Sequence, residues 1–182
     1  MHEIETERLL LRRFVPEDLD AYHACMNDDD VMRHLPGGKA LTREQAQAWI
    51  EHFRAHYERH DFGLWAVIFK PDTTLIGHGG LQYIRGTDVI EVSYGMAKSH
   101  WRRGIGTEIA AVSLRYGFEE LKLERIIALA DPPNTGSRRV MEKNGMRFVA
   151  MTTAYYSGEL VQYVLERADF QPAIDYTLIS VD

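Results

Sequence analysis

The sequence predicts an α+β domain, a mixed and mostly antiparallel sheet with helices on both faces. Two observations carry that prediction. Strand-like and helix-like periods follow in the order strand, helices, three strands, helix, strand, helix, two strands. The three central strands are separated only by short polar turns, so they form an antiparallel meander.

Residues 8–14, Arg-Leu-Leu-Leu-Arg-Arg-Phe, are apolar and basic by turns and stop before Pro16, which marks a first strand. Pro16 then suits a first helical turn, and Leu19, Tyr22 and Met26 share one side of an amphipathic helix. Residues 30–35 add a short helical piece that Pro36-Gly37-Gly38 ends as a loop or hinge. Thr42 and Gln45 make a capping box, and Ala46, Trp49, Ile50, Phe53 and Tyr57 follow at helical spacing to about His60. These aromatics belong to the core, although one beside the hinge could line an acceptor groove.

Past Gly63 the period becomes that of strands, at 64–69, 75–84 and 89–96, with turns at Pro71-Asp72-Thr73 and Gly86-Thr87-Asp88. Gly77, Gly79 and Gly80 within the second strand predict a bulge or a close backbone approach. Residues 108–121 are helical and 125–130 form a buried strand that stops at Asp131-Pro132-Pro133. Asn134-Thr135-Gly136-Ser137 opens another helix, Asn144-Gly145 closes it with a left-handed cap, and 146–151 and 160–165 are the last two strands. Residues 1–166 therefore form one domain. Residues 167–182 are a tail of unassigned structure, to be placed as an extra strand or against a neighbouring subunit.

The bulk properties narrow the function classes. A chain of 182 residues that is 45% hydrophobic can bury a proper core. The start, Met1-His2-Glu3-Ile4-Glu5, lacks a signal-peptide pattern and no apolar run is long enough to span a bilayer, so the expected location is the cytoplasm, with no membrane partner. The net charge of −6 argues against nucleic acid and suits a cationic substrate. The lone Cys25 has no disulfide or zinc partners. Asp28-Asp29-Asp30 is a solvated helix start, because no metal-binding loop pattern follows it. His52, His56 and His60 lie four apart on one helix, but the zinc-protease pattern is absent, and no metal is expected.

The stretch most suggestive of chemistry is Trp101-Arg102-Arg103-Gly104-Ile105-Gly106-Thr107, between a strand and a helix. Glycine permits positive φ and close approach, and the first amides of a helix have no partner within it. Together with the helix dipole and the guanidinium groups, they suit a phosphate or pyrophosphate. Cations at a helix start are unfavourable unless something there is negative.

Three segments, Thr6-Glu7-Arg8-Leu9-Leu10-Leu11-Arg12, 101–108 and 134–148, resemble the GNAT N-acetyltransferase superfamily, in its branch of ribosomal-protein amino-terminal acetyltransferases. The resemblance runs from about Thr6 to Glu166. It implies a GNAT-like sheet whose strands 89–96 and 125–130 splay apart after a bulge to form a slot for the cosubstrate acetyl-CoA. Its pyrophosphate would rest on the turn of Arg102, Arg103, Gly104, Ile105, Gly106 and Thr107, and its pantetheine arm would pair with backbone at Val92, Ser93 and Tyr94. Asn134 and Ser137 would lie near the sulfur. Arg138 and Arg139 could approach the adenosine phosphate, although a solvated helix face suits them better.

An amine that attacks a thioester must be neutral, yet a lysine-like amine has a reference pKa of ~10.4. Some group must take its proton. Glu91 shares a strand face with Ser93 and Gly95 and stands in the family's Glu-Ile-Gly-Tyr pattern as Glu91-Val92-Ser93-Tyr94. It is the candidate base, directly or through water, or the group that orients the ammonium. A strand amide freed by the bulge would hold the oxyanion. Where many members carry an acidic tyrosine this chain has Met141, which leaves Ser137 as candidate acid, with Tyr155 and Tyr156 as substitutes. Ser137 also suits a helix cap.

The expected activity is transfer of an acetyl group to a primary amine, a protein N-terminus or a small cationic amine, by direct attack in a ternary complex. The alternative is a non-catalytic acyl-CoA-binding module. A dinucleotide oxidoreductase is disfavoured, because Ile109 stands where its third glycine belongs. A homodimer through the tail or the final strands is left open.

Overall fold

The computed structural model describes residues 2–180. Its centre is the expected meander, with β3 (Leu64–Phe69), β4 (Thr74–Tyr83) and β5 (Ile90–Met96) paired antiparallel. The expected irregularity in the second strand is there: the β3–β4 register shifts at Val67/Ile68, opposite Gly77, whose φ is +152°. A Cβ at that position would lie 2.1 Å from the Gly95 carbonyl oxygen, so the approach excludes a side chain.

Outward from β3 lie β2 (Leu9–Arg12), β1 (His2–Glu5) and β9 (Thr177–Ser180). On the other side β5 is followed by β6 (Arg125–Ala130), β8 (Leu160–Glu166) and β7 (Arg147–Thr152). Among the described residues the sheet thus has nine strands in the order β7-β8-β6-β5-β4-β3-β2-β1-β9, and the one parallel junction is β5–β6. The sequence did not announce β1, which buries a single residue completely, Ile4, too few for a period. The tail supplies β9, which pairs antiparallel with β1 from His2↔Ser180 to Glu5↔Thr177.

Alternation along β3 sorts the helices. Trp65 and Val67 pack with α4 (Ile105–Glu119) and α5 (Thr135–Lys143) in one core, whereas Leu64 and Ala66 pack with α1 (Leu19–Met26), α2 (Asp29–Met32) and α3 (Arg43–His60) in another. Successive strand side chains face opposite ways, so the two helix groups cover opposite faces. Side-chain caps start α2 and α3, with the predicted box at α3 and an Asp28 cap at α2, which runs Asp29–Met32 rather than the expected 30–35. Thr42 and Gln45 exchange side-chain and backbone bonds at the start of α3, and the Asp28 carboxylate accepts the Asp30 and Val31 amides at the start of α2. Helix α4 begins at Ile105, three residues before the expected Glu108, because the glycine turn itself carries the chain into the first helical turn. Among the described residues no helix is long and apolar enough to cross a membrane.

Candidate functional site

The site is organised by the one parallel junction. Strand β5 meets β6 in register only at Glu91↔Ile127, while β6 is held on its far side by six successive pairs to β8, from Arg125↔Glu166 to Ala130↔Val161. Past Glu91 the two strands therefore follow different partners and part. The gap does not need the expected bulge in β5, whose pairing with β4 is unbroken from Tyr83↔Ile90 to Gly77↔Met96. It opens into a cavity of about 520 Å³ between the end of β5, the start of α4 and the start of α5. A second hollow, of about 580 Å³ between β1, β2 and α3, contains none of the predicted site residues.

The glycine turn forms one wall of the cavity. Arg102 and Gly104 have φ of +61° and +77°, while Arg103 between them is not in the left-handed region. Such alternation turns successive amides toward one concavity. Among the described residues, no backbone amide from Arg102 to Thr107 has a protein acceptor, and Gly104 caps α4 without any side-chain bond. Gly106 keeps the wall open, since a Cβ there would come within 3.0 Å of the Met96 methyl. Arg102, Arg139 and Lys143 line the cavity, and none has a carboxylate within 4.0 Å among the described residues. Unpaired cations gathered beside open amides, in a chain of net charge −6, give this wall a local positive potential that suits an anion.

Not every predicted residue reaches the cavity by its side chain. The Arg103 guanidinium lies over the Phe69 ring, 4.9 Å from its centroid, and Ile105 is in the core, so neither side chain reaches the cavity. Val92 is also core, and Ser93 is half-buried on the opposite face of β5. Arg139 lines the cavity, but Arg138 turns to the Tyr163 hydroxyl and the Pro132 carbonyl.

Across the cavity, Asn134 rather than Ser137 is the cap of α5, since its Oδ1 accepts the Ser137 amide at 3.0 Å. This frees the Ser137 hydroxyl, which lies 2.9 Å from the Tyr94 hydroxyl. Burial raises the Tyr94 phenol to about 12. Met141 is 2% exposed and purely core.

Glu91, at the closed end of the gap, is 4% exposed. Its Oε1 accepts both the Gln82 side-chain amide at 2.9 Å and the Tyr156 hydroxyl, and its Oε2 has no protein partner among the described residues. Burial raises its pKa, opposed by those two hydrogen bonds. The Tyr156 phenol is raised in turn, first by burial and then by the Glu91 charge. Tyr155 and Tyr156 both pack against the small cluster of Ile84, Ile127 and Val164, but only Tyr156 bonds to Glu91. On the same face of the sheet His78, cross-strand from Gly95, is held neutral by burial at about 4 and bonded to the Tyr22 hydroxyl at 3.0 Å. Trp49 and Phe53 pack on its ring, Phe53 as a core residue and Trp49 half-buried against that core. Near the cavity, His34 reaches from the loop after α2 to Asp131 beyond β6, at 2.6 Å.

Four features were not anticipated: Lys143 in the cavity wall, Gln82, the Tyr156 bond to Glu91, and the Tyr94 hydroxyl beside Ser137. Gln82 had a usable signal, because the β4–β5 hairpin register sets it directly across from Glu91. The Tyr156–Glu91 and Tyr94–Ser137 contacts join segments far apart in sequence. Among the described residues no group of three or more His, Cys, Asp or Glu could hold a metal. Of the helical histidines, His56 spends both ring nitrogens on the Phe62 carbonyl and the Tyr83 amide. The Cys25 thiol is buried and raised to about 11.

Residues 8–147 match the family model described as an acetyltransferase (GNAT) domain. The N-acetyltransferase YnaD of Bacillus subtilis is 35% identical over 147 residues, covering 81% of this chain and 83% of that one. The crystal structure of a GNAT-family acetyltransferase from Bacillus anthracis superposes with a TM-score of 0.79 at 30% identity, over 91% of this chain and 99% of that one. The ribosomal L7/L12 α-N-protein acetyltransferase RimL, solved with coenzyme A, shares the fold, with a TM-score of 0.76 at 13% identity over 88% and 95% of the two chains.

Proposed function

Because this chain belongs to the GNAT acetyltransferase family, we propose that it takes the acetyl group from acetyl-CoA and passes it directly to a primary amine bound beside Glu91. One observation carries this reading: the β5–β6 gap has unpaired cations and open amides at its open end and a buried carboxylate with one free oxygen where it closes. The residues present fit the cosubstrate. Open amides from Arg102 to Thr107 and the unpaired Arg102, Arg139 and Lys143 suit its phosphates, and the unpaired edge of β5 past Glu91 suits the amide-bearing arm. Bound there, acetyl-CoA supplies the thioester acetyl group.

Glu91 Oε2 takes the proton from the acceptor's ammonium, and its raised pKa makes it a stronger base than an exposed carboxylate. Gln82 and Tyr156 hold Oε1 and so fix the direction of Oε2. The paired Ser137 and Tyr94 hydroxyls supply a proton to the departing sulfur. The acceptor is a protein N-terminus or a small cationic amine, drawn by the negative overall charge. The fold shared with RimL, an α-N-protein acetyltransferase, favours the N-terminus and the ribosomal-protein branch.

The test is thiol release from acetyl-CoA with a panel of amino-terminal peptides and small amines. Turnover on at least one is expected. Coenzyme A binding without turnover on any amine would replace this reading by that of an acyl-CoA-binding module.

A further inference from the structure

The segment Thr6-Glu7-Arg8 has no part in the chemistry above, yet its side chains reach the turn on which that chemistry depends. Glu108, in the first turn of α4, is 7% exposed, and a buried carboxylate needs partners. Thr6 Oγ1 donates to its Oε1 at 2.6 Å and Arg8 Nε to its Oε2 at 2.7 Å, across about a hundred residues of sequence. The remaining arm of the same guanidinium donates from Nη1 to the Arg103 carbonyl at 2.9 Å. One side chain thus holds both the helix start and the turn before it.

We propose that Arg8 is a positioning residue for the cosubstrate's pyrophosphate: by fixing the Arg103 carbonyl it aims the Gly104 amide into the cavity. The inference rests on the acetyl-CoA reading. Its basis is peptide geometry. The Arg103 carbonyl and the Gly104 amide belong to one planar trans peptide, so they point in opposite directions. Gly104 lines the cavity and its amide has no protein acceptor among the described residues. With φ of +77° and no Cβ, Gly104 does little by itself to stop that peptide from flipping. A flip would turn a carbonyl oxygen toward the anion. The Arg8 fork excludes it, and Glu108 with Thr6 holds the fork in place. The cradle is then ordered before the ligand arrives, which lowers the cost of binding.

The test compares two ligands on the intact chain, coenzyme A by calorimetry and pantetheine, which lacks the pyrophosphate, by NMR titration. Arg8→Lys keeps the charge but cannot bridge Glu108 and the Arg103 carbonyl with a planar fork. It should weaken coenzyme A binding on the order of tenfold, the scale of a lost charge-assisted hydrogen bond, and leave pantetheine binding unchanged. Glu108→Gln, which loosens the fork more gently, should give the same pattern with a smaller factor, and it serves if Arg8→Lys does not fold. Equal weakening of both ligands would make the role merely structural, and unchanged coenzyme A affinity would remove the proposal outright. If the wild-type chain binds no coenzyme A, it is the acetyl-CoA reading that has failed.

Discussion

The two ends of the β5–β6 gap are built from opposite materials. The open end uses backbone amides from Arg102 to Thr107 and the unpaired side chains of Arg102, Arg139 and Lys143. The closed end uses one carboxylate, 4% exposed, tied to a tyrosine and a glutamine. An exposed cradle attracts by charge, is screened by salt, and spreads its contacts over many groups. A buried carboxylate works through its altered basicity and depends on each neighbour. Damage to the first should therefore appear in affinity and damage to the second in rate.

The largest expected effect is at the closed end. Glu91→Gln keeps the shape and both hydrogen bonds but removes the base, so kcat should fall by about 10²–10⁴-fold with coenzyme A affinity unchanged. The same variant should be more stable at neutral pH. A carboxyl whose folded pKa is raised binds a proton that the unfolded chain has released, so stability drops as pH rises through that window and stays lower above it. Removing the charge removes that penalty, so thermal unfolding at neutral pH should move to higher temperature than in the wild type. Unchanged kcat would exclude Glu91 as the base.

At the open end, replacing Arg102 and Arg139 together by Ala should weaken coenzyme A roughly tenfold to a hundredfold and leave kcat at saturating donor nearly intact. The loss should shrink as salt is raised, because exposed charges are screened within about 10 Å at 0.1 M. A fall in kcat with affinity preserved would reverse the contrast between the two ends.

The same contrast explains what was legible in the sequence. The glycines, the helix start and Arg102 all lie within residues 101–107, so local chemistry disclosed that part of the cradle, whereas Arg139 and Lys143 reach it from α5. The meander and the α3 capping box were equally local. Residue Glu91 was visible as a type in a pattern, but its environment comes from Gln82 on the neighbouring strand and Tyr156 more than sixty residues away. The turning of the Arg103 side chain onto Phe69, and its carbonyl bond to Arg8, depend on a turn conformation that residue types do not specify. Strand β9 was illegible for a similar reason: a four-residue edge strand, none of it fully buried, carries little hydrophobic period.

The smallest effect sharpens the comparison most, because it moves a pKa without moving the carboxylate out of the gap. The Tyr156 hydroxyl donates to Glu91 Oε1 and stabilises the ionised form, against burial that favours the neutral one. Tyr156→Phe removes that donor and leaves burial opposed only by Gln82, so the Glu91 pKa should rise further. A base must be deprotonated to act, so activity is lost as pH falls through its pKa, and the acid limb of the kcat profile should move to higher pH in the variant. At neutral pH the loss should be only about two- to tenfold, because one hydrogen bond to a charged group is altered and the base itself remains. Well above the limb kcat should recover toward the wild-type value, which a defect in proton donation to the sulfur would not allow. A uniform loss at every pH would therefore assign Tyr156 to the acid side of the reaction.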